Sequence, residues 1–185
     1  MPTLGLVLLL NSGTYISLLD PAAKRAILFI MALGTLIFPV MMIPIFYYRN
    51  IIGGLQKASR EEHLVPHFII LILYIITFVY FIRLPLSKLI DAYVLSTSLS
   101  LFLLLLLSFR FRLCIHMTAL GGITGLIIAL TLLYEIQMEG ILMLVLMAAG
   151  VTGSARLMLG AQKPGEVLAG YLVGFGVVLT TLLVY

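Results

Sequence analysis

Apolar runs of about bilayer length recur along this chain and leave few folds open to it. "LIDAYVLSTSLSLFLLLLLSF" carries a single charged residue, Asp91, and "LCIHMTALGGITGLIIALTLLY" carries none apart from a histidine. Roughly 20 residues of helix cross about 30 Å of hydrocarbon. Composition agrees: 63% of the residues are hydrophobic, 10% are charged, and mean hydropathy is +1.24. A soluble domain cannot bury that much apolar surface. In lipid the backbone must satisfy its own polar groups, so helices or a closed barrel are the choices. The runs are continuous and lack barrel alternation, which selects helices. The chain therefore reads as an all-α, polytopic transmembrane bundle forming one integral membrane domain over residues 1–185.

Seven apolar segments are predicted. They are Leu4–Leu19, Arg25–Tyr48, Pro66–Arg83, Lys88–Phe109, Leu113–Tyr134, Glu139–Leu157 and Gly165–Tyr185. The first is short and polar in its middle, at Asn11, Ser12 and Thr14, so the number that cross is six to seven. Pro39 and Pro44 are expected to bend the second. Met1–Leu19 lacks a basic start, so no cleavable signal peptide is expected; its abruptness instead raises the expectation of a further N-terminal helix. The connections are short except Arg49–Val65, "RNIIGGLQKASREEHLV", and long loops in compact proteins tend to be functional or disordered. Gly121, Gly125 and Ala129 share one helix face, and Gly170 and Gly174 another. Such spacing lets helices pack closely in lipid. Tyr47, Tyr48, Tyr74, Tyr80, Tyr134 and Tyr185 read as interfacial anchors. Asn11 and Asp91 read as polar contacts between helices.

Six crossings would sort the connections onto two sides. One side gathers Arg49, Lys57, Arg60, Arg110, Arg112, Arg156 and Lys163 against Glu61, Glu62 and Glu166. The other balances Lys24, Arg25, Arg83 and Lys88 with Asp20, Asp91, Glu135 and Glu139. The whole net charge of +4 thus falls on the first side. His63, His67 and His116 lie near it too. Basic loops facing the cytoplasm would explain this. So would an anion site, since arginine forks to phosphate oxygens, lysine supplies a point charge and histidine carries a proton near neutral pH. Helix starts near His116 and Glu166 would aim backbone N–H groups at the same side. Cys114 is the lone cysteine, so an intrachain disulfide is ruled out and no zinc or iron–sulfur spacing exists. Nothing points to nucleic acid.

The stretch "ARLMLGAQKPGEVLAG" resembles the third signature of the type-2 phosphatidic acid phosphatase superfamily: Ser-Arg, five residues, His, three residues, Asp. Here Arg156, Gln162 and Glu166 keep that spacing. "CIHMTALGG" resembles the second signature, Pro-Ser-Gly-His, through His116. "LQKASREEHLVP" stands where the first would fall, with Lys57 and Arg60 supplying cations but no Arg-Pro. The resemblance covers roughly the last 130 residues, so a phosphatase-like core over approximately 50–185, and is closest to small bacterial membrane proteins of that superfamily.

The resemblance implies binding, and hydrolysis, of a lipid or isoprenoid phosphate at the bacterial inner membrane. It makes His116 the general acid, Glu166 the orienting carboxylate, and Arg156, Lys57, Arg60 and Arg112 the phosphate ligands. No metal or other cofactor is implied, because the cations would carry the developing charge. Gln162 occupies the place of the nucleophilic histidine. An amide cannot form a phosphoenzyme, though it can hydrogen-bond a phosphate oxygen. His63, or else His67, is a candidate replacement nucleophile. The alternative is a catalytically inactive relative that binds lipid phosphate or supports a membrane complex. Charge counting points the basic side to the cytoplasm, whereas the resemblance points the site to the outer face of the inner membrane.

Overall fold

The computed structural model describes residues 2–14, 16, 19–41, 60–84, 86–109, 113–160 and 162–185, with side chains in 60–84 described from Phe68 onward. Every regular element among them is helical. α1 is Pro2–Leu10, α2 runs over Pro21–Met41, α3 is Arg60–Ile82, α4 is Lys88–Ser108, α5 is Ile115–Tyr134, α6 is Glu139–Met158 and α7 is Pro164–Val184. Five of these, α2 and α4 to α7, are long and apolar enough to cross a membrane. The described apolar part of α3, Phe68–Ile82, is shorter.

Two expectations change here. The first segment is helical only to Leu10 and then turns at Asn11–Thr14, where Gly13 takes φ +76°. Nine residues rise about 14 Å, roughly half the hydrocarbon thickness. α1 instead inserts into the bundle, with Leu6, Leu9 and Leu10 fully buried. The second change is at Arg60–Val65, expected as loop. α3 already begins at Arg60 and carries through Pro66.

α2 shows how one proline is accommodated. Pro39 has no N–H to give the Thr35 carbonyl, and its ring crowds that turn. The helix widens into a π-turn over Leu33–Ile37, where the Phe38 N–H reaches back to the Leu33 carbonyl. Pro44 lies outside the described residues.

The centre of the molecule is the α5–α7 pair, which shares the largest interface. The helices run parallel, since Gly170 meets Cys114, Gly174 meets Thr118, and Gly125 meets Phe175. A Cβ on Gly174 would collide with the Thr118 carbonyl, and one on Gly121 with the Tyr171 carbonyl. Lipid tails are as apolar as leucine, so association in a bilayer rests on close packing rather than on escape from water. Tyr171 adds a polar tie, donating to Thr124 Oγ1 at 3.0 Å. α4 packs on α7 and on α3, and α6 lies outermost. The exposed face of α6, including Met143, Leu144, Met147 and Val151, is apolar and suits lipid.

α4 carries three buried serines, yet leaves no hydroxyl unsatisfied among them. Ser96, Ser98 and Ser100 donate to the Tyr93, Val94 and Ser96 carbonyls at 2.7, 3.0 and 2.8 Å. Returning each hydroxyl to its own helix makes a polar sequence tolerable inside a bundle.

Candidate functional site

The start of α5, the end of α6 and the start of α7 come together at one end of the bundle. α5 starts because Cys114 is extended, at φ −85° and ψ 107°, and the Cys114 side chain does not cap its first N–H groups. His116 is therefore in the first turn of α5. Arg156 is in the last turn of α6, where a cation complements the helix dipole. Forty residues apart in sequence, their side chains meet: Arg156 Nη2 is 2.9 Å from His116 Nδ1. His116 is exposed at this end and Arg156 half-buried.

Chemistry decides the roles in that contact. A guanidinium only donates, so His116 Nδ1 must accept. The imidazole is then neutral, with its proton on Nε2 and its other nitrogen turned to a cation. Both groups can rotate to an anion: Arg156 offers a fork of N–H donors, and His116 an N–H.

α7 begins at Pro164, a favoured first helical residue. Glu166, in its first turn, accepts from the Lys163 backbone N–H through Oε2 at 3.0 Å. That carboxylate sits where an anion would otherwise be drawn to the α7 N-terminus. Gln162 is half-buried in the turn before α7, and Lys163 is exposed beside it.

The structure brings His116 and Arg156 into contact, and sets Gln162, Lys163 and Glu166 in the adjoining turn. Lys57, Arg110 and Arg112 lie outside the described residues. Arg60, His63 and His67 are on α3, but their side chains lie outside the described part.

His116 also lines a cavity of about 360 Å³ bounded by α3, α4 and α5, with Pro2, Leu36 and Val178 contributed by α1, α2 and α7. Its walls are mostly hydrocarbon, broken by Tyr74, Tyr93, Thr97, Ser100 and Thr118. Most of those hydroxyls are already engaged. Tyr93 donates to the Pro2 carbonyl at 2.9 Å, Thr97 to the Val94 carbonyl at 2.9 Å and Thr118 to the Cys114 carbonyl at 3.2 Å. The sequence reading missed this space and took Tyr74 for an interfacial anchor, whereas it lines the interior. The signal was its position, mid-way along the apolar third segment and far from either boundary.

No family model, curated protein or solved structure matches this chain.

Proposed function

We propose that this is a bacterial inner-membrane protein that binds a lipid or isoprenoid phosphate where His116 meets Arg156, on a phosphatidic acid phosphatase-like core over about 50–185. Six segments would cross if α3 does.

One observation carries the reading. The two stretches whose motifs resemble the second and third phosphatase signatures meet through their basic residues, at 2.9 Å. A phosphate monoester fits such a pair. Arg156 would fork to two of its oxygens, and His116, once protonated, would donate to the ester or a terminal oxygen. The first N–H groups of α5, which the Cys114 side chain does not cap, add donors on the same side. Lys163 adds charge from the neighbouring turn. Lys57, Arg60 and Arg112 remain proposed ligands.

Hydrolysis is the second reading, supported by the resemblance of the His116 stretch to the second signature, which would make His116 the proton donor to the departing alkoxide. It needs a nucleophile to attack phosphorus as the P–O ester bond breaks. Gln162 cannot serve, and its amide is assigned to phosphate oxygen. His63 is the candidate replacement, and Glu166 the carboxylate that would orient it. Without one, the protein is a binding member of the same architecture.

Phosphate release and binding, measured together on purified protein with alkyl and isoprenyl phosphates, test both. Binding without release, with release appearing in Gln162→His, is the result expected of a binding protein. Release lost in both His116→Ala and His63→Ala would establish hydrolysis. Absence of binding to every phosphate tested would overturn the proposal.

A further inference from the structure

The cavity behind His116 has a definite size and runs along α4. It follows α4 from Leu104, beside the α5 start, through Ser100 and Thr97 to Tyr93. Eleven residues of helix rise about 16 Å, roughly half of the hydrocarbon thickness. At the far end, Tyr93 and Pro2 line it, joined by their 2.9 Å hydrogen bond. His116 lines the near end. The wall hydroxyls of Thr97, Ser100 and Thr118 are turned back onto their own helices, so apart from the Tyr74 hydroxyl the space offers a chain mostly hydrocarbon contact.

Volume limits what can enter. A cavity of about 150 Å³ accepts benzene, so about 360 Å³ accommodates roughly 14 carbons. Two acyl chains of ordinary length need about twice that space. An apolar chain gains little by leaving lipid for protein in terms of water exclusion. Its gain is in fixed position: a chain seated between Tyr93 and His116 presents its headgroup to Arg156.

We infer that this cavity is a blind pocket for the single apolar chain of a phosphate amphiphile, measuring chain length from the His116–Arg156 pair to the Tyr93–Pro2 wall. The inference rests on the phosphate reading of that pair for its headgroup, and on the cavity alone for its chain. A diacyl phosphate is the competing class, because one of its two chains would have to remain in the bilayer.

The test is a binding series on the full-length protein in detergent, using n-alkyl monophosphates of increasing length, a prenyl monophosphate and diacyl phosphatidic acid. Affinity is expected to rise with alkyl length and level off near roughly 14 carbons. Thr97→Phe adds four side-chain heavy atoms to the wall, so the plateau should arrive roughly four carbons sooner. Ile70→Phe, on the facing α3 wall, is the second filling variant and should shift the plateau in the same direction. Arg156→Ala should weaken every length by the same factor and leave the plateau in place.

A plateau unmoved by a folded filling variant, or phosphatidic acid binding more tightly than every single-chain phosphate, would overturn the inference. A length plateau seen with n-alkyl alcohols but no preference for phosphate would sink the headgroup reading and keep the chain pocket. A phosphate preference without any length dependence would do the reverse.

Discussion

Gly174 lies so close to the Thr118 carbonyl that a Cβ cannot be placed on it. The contact sits in the middle of the α5–α7 interface, where Gly121, Gly125 and Gly170 make similar approaches to facing backbone. Gly174→Val should therefore force the two helices apart. The expected cost is about 3 kcal/mol, toward the upper end for overpacking. Gly176 on the same helix has open space around its Cα, so Gly176→Ala should be near neutral. Thermal unfolding in detergent distinguishes them; Gly174→Val as stable as Gly176→Ala would mean that the close approach to Thr118 does not hold this face together.

Arg156 and His116 give a prediction about charge and shape together. Arg156→Gln should lower affinity for an alkyl phosphate by about 2 kcal/mol, roughly 30-fold, as expected for loss of a charge-assisted bond. Arg156→Lys should recover part of this, keeping the charge and losing the fork. Equal affinity of wild type and Arg156→Gln would remove Arg156 from the site.

The pH dependence has a definite sign. Free His116 must be neutral to accept from Arg156, and protonation would set two cations against each other. A bound phosphate reverses the preference, since imidazolium then donates to it. Lys163 and Glu166 of the adjoining turn contribute opposite charges nearby. Phosphate binding should thus tighten as pH falls through the histidine range, while the phosphate keeps its own charge. Titrations of His116→Gln should be flatter. A wild-type profile as flat as the variant's would refute the role.

Tyr93 ties the short α1 helix to α4 through the 2.9 Å bond to the Pro2 carbonyl. Tyr93→Phe removes that bond while the Pro2 carbonyl keeps its place in the α1 ladder, at about 1 kcal/mol. Loosening of α1 should appear as faster cleavage within residues 2–14 by added protease, with α4 to α7 still intact. Unchanged cleavage would show that Leu6, Leu9 and Leu10 hold α1 by packing alone.

Legibility in the sequence varied with the range of the interaction. Lys88, Ile115, Glu139 and Pro164 begin helices within two residues of the predicted starts, because apolar runs and breakers act locally. The glycine faces announced close packing, but not that α5 would pair with α7 rather than with its neighbour α6. The π-turn was half legible: Pro39 signalled a bend, and only the surrounding helix settled that it would be absorbed as a widened turn. Tyr74 was misread because side-chain type suggests an interface, while depth in the helix decides where the hydroxyl goes.

From residue order alone came the all-helical, apolar class and the bounds of the last four segments, since these follow from run length and local breakers. The spacing of Arg156, Gln162 and Glu166 could be read along the chain; the meeting of Arg156 with His116 could not. That contact depends on α5 and α6 being antiparallel neighbours, with the start of one beside the end of the other. The cavity depends still more on assembly. Its lining takes residues from six helices, and such a space exists only once their packing leaves it unfilled.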